Sequence, residues 1–178
     1  MPKRQARSLP KTWLMTDEWL GDALLPSIAA LPKGSGIVFR HYSLDAVERQ
    51  KLFLAVSKVA RQNRHILVIG GASFAAPALR AAGKHGRVRG AITAPVHSLR
   101  EARAAERAGA RLLFVSPIFA TRSHPHAAVL GRVRFGLLIH NLKLPVVALG
   151  GMNAARARGL QSMKIYGWAG ISALAVTF

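Results

Sequence analysis

Leu144-Pro145-Val146-Val147-Ala148-Leu149-Gly150-Gly151 is the stretch on which the fold turns. An apolar run of this kind, with no polar alternation, reads as a strand buried on both faces, the signature of a parallel sheet. It opens directly into two glycines, a turn with no side chains to block a ligand. Backbone N–H groups freed at such a turn hold phosphate well, above all where a helix begins just beyond it. Two further junctions share the pattern. Leu112-Leu113-Phe114-Val115-Ser116-Pro117-Ile118-Phe119 runs into the loop Thr121-Arg122-Ser123-His124, and Gly167-Trp168-Ala169-Gly170-Ile171-Ser172 gives the third. Three strand-to-turn junctions in one short chain point to a phosphate site.

Working outward, apolar runs alternate with helical periodicity, the rhythm of strand-helix-strand units around a parallel sheet. Strands are expected at residues 12–16, 36–42, 65–69, 90–95, 112–117, 146–149 and 166–171. Helices are expected at 19–31, 46–63, 73–82, 98–109, 134–141 and 154–163, with Ser98 and Glu101 in capping-box spacing. Between residues 83 and 89, glycines and bases stand where a fourth buried strand and its helix belong. Seven clear units and one degraded unit predict a shortened TIM-type (β/α)8 barrel of the α/β class. In such a barrel function lies at the carboxyl ends of the strands, with phosphate held after the seventh and eighth. An open doubly wound sheet accounts less well for phosphate-type turns on consecutive final strands.

Composition sets the outer bounds. At 178 residues and 51% hydrophobic content the chain can bury a core of its own, and disorder is excluded. The division read from the sequence is a basic tail over residues 1–11 and a single barrel domain over 12–178. No apolar run reaches the roughly 18 residues of a membrane span, and no signal core follows the basic start. The absence of cysteine rules out disulfides and thiol chemistry. Cytoplasmic placement is the corresponding expectation; the phosphate-type turns add small phosphorylated substrates, and the sequence leaves open whether the chain forms a homo-oligomer. The formal charge of +19 raises the possibility of nucleic acid. The bases are scattered, however, with no dense block and no stacking aromatics, so the reading favours a solvated cationic face over a nucleic-acid partner.

Several residues at strand ends carry potential chemistry. Arg40, at the end of the second strand, faces the barrel mouth, where a guanidinium grips a diphosphate bidentately. His97 stands at the mouth of the fifth strand as an acid/base candidate, with an ordinary loop histidine as the alternative. Thr121 and Ser123 offer alternating hydroxyls, and His124 a charge-assisted donor. Asp17 reads first as a helix cap before Trp19 and second as a metal ligand or orienting group. No pair of acids sits where two strand ends would jointly hold magnesium, so no metal ligand is assigned.

These motifs resemble those of the thiamine-phosphate synthase/TenI family. The family's fifth-strand signature is similar to Val96-His97-Ser98, followed by an alanine-rich helix and Gly109-Ala110. Its Gly-Pro-Ile-Phe-x-Thr-x-Thr-Lys loop is similar to Ser116-Pro117-Ile118-Phe119-Ala120-Thr121-Arg122-Ser123-His124. Its Pro-Val-Val-Ala-Ile-Gly-Gly-Ile turn is nearly reproduced at residues 145–152, and its Val-Ser-Ala end at Ile171-Ser172-Ala173. The resemblance implies an enzyme that joins hydroxymethylpyrimidine diphosphate to thiazole phosphate, diphosphate leaving with the help of Mg2+. By that pattern Thr121, Ser123, Gly151, Ile171 and Ser172 bind the thiazole phosphate and Arg40 grips the diphosphate; the residues themselves add Gly150 to the phosphate turn and His97 and His124 as further catalytic candidates. A relative that binds a phosphate ligand without turnover is the alternative.

The chain departs from the family on the diphosphate side. The glutamine and lysine of the family's Gln-Leu-Arg-x-Lys strand are here Val38 and Tyr42. Gly70-Gly71 replaces an Asn-Asp pair, Pro95 a serine and His124 a lysine, while Pro117 stands where the tautomerase branch has histidine. Magnesium is implied by the resemblance, but its ligands are not evident in this chain. Arg40, Arg122 and His124 are the cations available to stabilise the leaving group instead.

Overall fold

The computed structural model describes residues 8–71, 83–121 and 128–176. Eight parallel strands close into a barrel in chain order. They are β1 (Thr12–Met15), β2 (Gly36–Phe39), β3 (Ile66–Gly70), β4 (Gly83–His85), β5 (Ala91–Val96), β6 (Leu112–Val115), β7 (Val146–Ala148) and β8 (Gly167–Gly170). Around them lie α1 (Leu24–Ala30), α2 (Ala46–Gln62), α3 (Leu99–Arg107), α4 (Gly131–His140) and α5 (Ala154–Gly159). The expected TIM-type barrel is the observed architecture.

Strand periodicity sorts the core into an inside and an outside. Trp13 and Met15 of β1 point inward with Val38, Val68, Leu112, Phe114, Val147 and Ala169. Leu14, between them, faces outward with Ile37, Phe39 and Ile69 against residues of α1 and α2. Trp13 fills the barrel floor. Its ring meets Phe114 edge-on at 5.3 Å, and a Cβ on Gly36 would fall 2.1 Å from it. Deleting a buried aromatic of this kind costs about 3–5 kcal/mol.

The degraded fourth unit is a real strand without a helix. β4 pairs in parallel with β3 and, through an irregular register, with β5. Parallel neighbours normally need a crossover of about a dozen residues or more. Here β4 is only three residues long, so residues 86–90 suffice to bring the chain back to β5. Gly86 anchors this return by donating its N–H to the Thr93 carbonyl at 2.9 Å.

Other boundaries shift for local reasons. The helix expected at 19–31 is a 3-10 turn over Glu18–Ala23 followed by α1, broken where Gly21 adopts φ 46° and ψ −129°. The second strand stops at Phe39 rather than residue 42, because the Arg40 N–H turns to the Thr16 hydroxyl at 2.9 Å and His41 takes φ 36°. Ser98 and Glu101 do cap α3, although the Glu101 carboxylate accepts from the N–H of His97. Leu9, Pro10 and Lys11, assigned to the tail, are bonded to the barrel: their carbonyls accept from Tyr166, the Trp13 indole and the Trp168 N–H. The helix expected at 73–82 lies outside the described residues.

Candidate functional site at the carboxyl ends of the strands

All eight strands contribute to one cavity of about 440 Å3 at their carboxyl ends. Met15 forms part of its floor, and Arg40, Tyr42, Gly71, His85 and Gly86 line one side. Pro95, His97, Ser116, Pro117, Thr121, Leu149, Gly150 and Ile171 line the other. Five residues singled out from the sequence therefore meet here: Arg40, His97, Thr121, Gly150 and Ile171. Gly151 and Ser172 are adjacent in the chain but do not line the cavity. Ser123, His124 and Arg122 lie outside the described residues.

Arg40 is held rather than loose. Its Nε donates to the Thr16 carbonyl at 2.9 Å, and its guanidinium pairs with the Asp17 carboxylate. Asp17 also accepts from the Trp19 N–H at 3.5 Å. Both readings of Asp17 drawn from the sequence thus apply in part: it caps the turn and orients Arg40. Thr16 completes the clamp, its hydroxyl accepting from the Arg40 N–H and lying 3.0 Å from Nδ1 of His41. Burial pushes the His41 imidazole below its ordinary pKa, partly offset by Glu18 and Asp17.

Arg49 was missed in the sequence. This α2 residue is buried, and it donates to the carbonyls of Arg40 at 2.9 Å and Gly70 at 2.7 Å. Its guanidinium also stacks over Phe39 and Tyr42, 5.5 and 5.6 Å from their ring centroids. A signal was present: Arg49 shares the helical stripe of Phe53, Val56 and Ala60, the buried face of α2. One guanidinium thus ties the ends of β2 and β3 together beneath the cavity.

Tyr42 and the glycines after β3 fit each other. A Cβ on Gly70 would come 2.5 Å from the Tyr42 hydroxyl oxygen, and one on Gly71 2.8 Å from the ring. Gly71 also has φ +75°, a conformation that side-chain-bearing residues rarely adopt. The ring therefore occupies the space that side chains at 70 and 71 would take.

His85 is the second residue missed, hidden in the stretch where the strand pattern failed. It is buried at the end of β4, with Nδ1 2.9 Å from the Thr93 hydroxyl and its ring edge-on to Phe114. Burial, with a smaller contribution from the charge of Arg40, pushes its pKa down to about 4, so it is neutral at pH 7. His97 is exposed at the opposite rim, its Nδ1 2.6 Å from the Ser116 carbonyl oxygen. A carbonyl only accepts, so Nδ1 carries the proton and Nε2 is left for the neutral ring's lone pair.

The double glycine answers to packing. Gly150 has φ 94° and Gly151 φ 61°. A Cβ on Gly150 would lie 2.7 Å from Pro117 Cα, and one on Gly151 2.4 Å from the Ala120 carbonyl oxygen. The turn after β7 is thus pressed against the loop after β6. Backbone bonds from Ile118 to Leu149 and from Phe119 to Gly150 seal the contact. Arg156 adds a bond to the Gly151 carbonyl and stacks on Phe119 at 4.7 Å.

No carboxylate lines the cavity, and all seven acids of the chain fall among the described residues. Asp17 serves Arg40, and Glu18 accepts from the Ser43 N–H and hydroxyl. Asp45 caps α2. Glu101 holds His97 and Arg87, while Glu106 holds Lys143 and Arg103. Asp22 and Glu48 are exposed on the outer helical layer. Among the described residues no cluster of three or more acids, histidines or cysteines is placed to hold a metal. The donor set does not fit magnesium, which is bound through carboxylates beside substrate phosphates.

With this geometry in view, residues 15–174 match the thiamine monophosphate synthase family. The chain belongs to that family. It is 31% identical over 180 residues to a protein of Aquifex aeolicus provisionally named thiamine-phosphate synthase 2, covering 92% of this chain and 97% of that one. A thiamine-phosphate synthase of Coprothermobacter proteolyticus is 24% identical, across 97% of this chain and 90% of the relative. Among solved structures, a thiamine phosphate pyrophosphorylase from Pyrococcus furiosus superposes with a TM-score of 0.75 at 26% identity, covering 91% and 85% of the two chains. Membership of the thiamine monophosphate synthase family agrees with the closed barrel and with the position of the cavity. No helix among the described residues is long and apolar enough to cross a membrane.

Proposed function

We propose that this chain joins hydroxymethylpyrimidine diphosphate to thiazole phosphate, releasing diphosphate and forming thiamine phosphate. The observation that carries the reading is the shared cavity, in which Arg40 stands on one side and Thr121 with the Gly150 turn on the other. In this reading the thiazole phosphate sits against Thr121, Gly150 and Ile171, with Gly151 and Ser172 next to them in the chain; the Ser123 expected from the sequence lies outside the described residues. The pyrimidine diphosphate lies toward Arg40, whose clamped guanidinium is already oriented and needs little ordering on binding. The carbon–oxygen bond breaks with its electron pair going to diphosphate. The thiazole nitrogen then supplies its lone pair to the pyrimidine methylene carbon, closing the new carbon–nitrogen bond. Fixed cations beside the departing oxygens stabilise the charge that develops there. His124 is the further candidate for this role, and His97 is the acid/base candidate. A biosynthetic transferase of this kind acts in the cytoplasm on small phosphorylated substrates.

A second reading, a relative that binds phosphate ligands without turnover, is favoured by one observation: no carboxylate reaches the cavity. Supplying both substrates and measuring thiamine phosphate separates the two. Product supports the transferase. Absence of product with thiazole phosphate still bound in calorimetry selects the second reading.

A further inference from the structure

The whole complement of acids is accounted for outside the cavity, and the wall where a metal-binding carboxylate would stand is built differently. Tyr42 covers Gly70 and Gly71, so a side chain at either glycine and the observed ring exclude each other. Arg49 fixes that arrangement from below through the Gly70 carbonyl and the Tyr42 ring. Asp17 is paired to Arg40, and Glu101 accepts from the His97 N–H, so the acids that touch lining residues are already engaged. His85 on the same side and His97 on the other also line the cavity, and both present imidazole rather than carboxylate. The electrostatic consequence is a site that offers an anion the fixed positive charge of Arg40 and offers a hydrated magnesium ion no carboxylate.

We infer that this cavity recognises the diphosphate group directly, as the free anion, through Arg40 and without a carboxylate-held metal ion. The inference rests on the reading that the cavity takes a diphosphate. Magnesium then acts as a competitor: it complexes diphosphate in solution and lowers the negative charge that Arg40 attracts. Asp17 works against the ligand, since its carboxylate partly neutralises Arg40. This is the opposite of what a metal ligand at residue 17 would do.

Calorimetric titration of the full chain with inorganic pyrophosphate, in chelator and then in excess magnesium, tests this. Binding is expected in chelator and should weaken when magnesium is added. Arg40→Gln should weaken binding in chelator about 10- to 100-fold, the loss of charge-assisted hydrogen bonds. Asp17→Asn keeps an acceptor for the Trp19 cap and removes one like charge. It should tighten binding about threefold, as expected for a charge roughly 6 Å away in a water-like dielectric. Binding seen only with magnesium, or undiminished in Arg40→Gln, overturns the inference while leaving the diphosphate reading intact. No binding under either condition overturns that reading itself, and the inference with it.

Discussion

Replacing Gly150 by alanine probes why the double glycine is there. Two costs are legible in the backbone. The φ of 94° is strained for any residue with a Cβ, which costs about 1–3 kcal/mol. The new carbon would also stand 2.7 Å from Pro117 Cα and 3.0 Å from the Ile118 nitrogen. Those atoms are backbone, locked by the bond from the Ile118 N–H to Leu149, and cannot swing away. Overpacking of this kind costs about a further 1–3 kcal/mol. Gly109 supplies the control, because its φ of +92° is almost the same and nothing lies within 4 Å of its Cβ position. Gly109→Ala should therefore show the strain alone. Urea unfolding of the two variants beside the parent measures the difference directly. Gly150→Ala should lose about 1–3 kcal/mol more than Gly109→Ala. Equal losses would refute the claim that the loop after β6 enforces this glycine.

Two further perturbations address the residues that the sequence concealed. His85 is held neutral by burial, with a folded pKa near 4 against an ordinary 6.5. The unfolded chain binds the proton more readily, so the stability contributed by His85 is complete above about pH 6.5 and is lost as pH falls toward 4. Between pH 7 and pH 5 the loss is about 2 kcal/mol, and His85→Gln should flatten the denaturant-derived stability profile by that amount; parallel profiles would contradict it. Arg49→Met should destabilise by about 2–3 kcal/mol, because it strips a charged donor from two carbonyls that hold β2 and β3; unfolding midpoints within error of the parent would contradict that role.

The strands rich in branched and apolar residues were legible because burial on both faces leaves a run of uninterrupted hydrophobics, as at Leu112–Val115. The glycine turns were legible for a related reason: positive φ and close approach tolerate only glycine. β4 was hard to read because its three residues place only His85 in the interior, and a buried histidine in a basic stretch carries no apolar pattern. The kink at Gly21 was concealed by helical spacing that continues across it. In the site, Arg40, His97 and Thr121 stood out because each follows a strand. The complementarity between Tyr42 and Gly70-Gly71 did not, because it depends on two neighbouring strands meeting in space. Asp17 presented two readings in the sequence, and only the pairing with Arg40 shows how it combines orientation with capping.

The pairing of the phosphate turn proposed at Gly150-Gly151 with a cavity free of carboxylates is the central claim, and one measurement addresses both halves. Purified chain is supplied with hydroxymethylpyrimidine diphosphate and thiazole phosphate in buffer containing a chelator, and thiamine phosphate is quantified. The account predicts that product forms under these conditions and that added magnesium is not required. Product that appears only when magnesium is restored would contradict it.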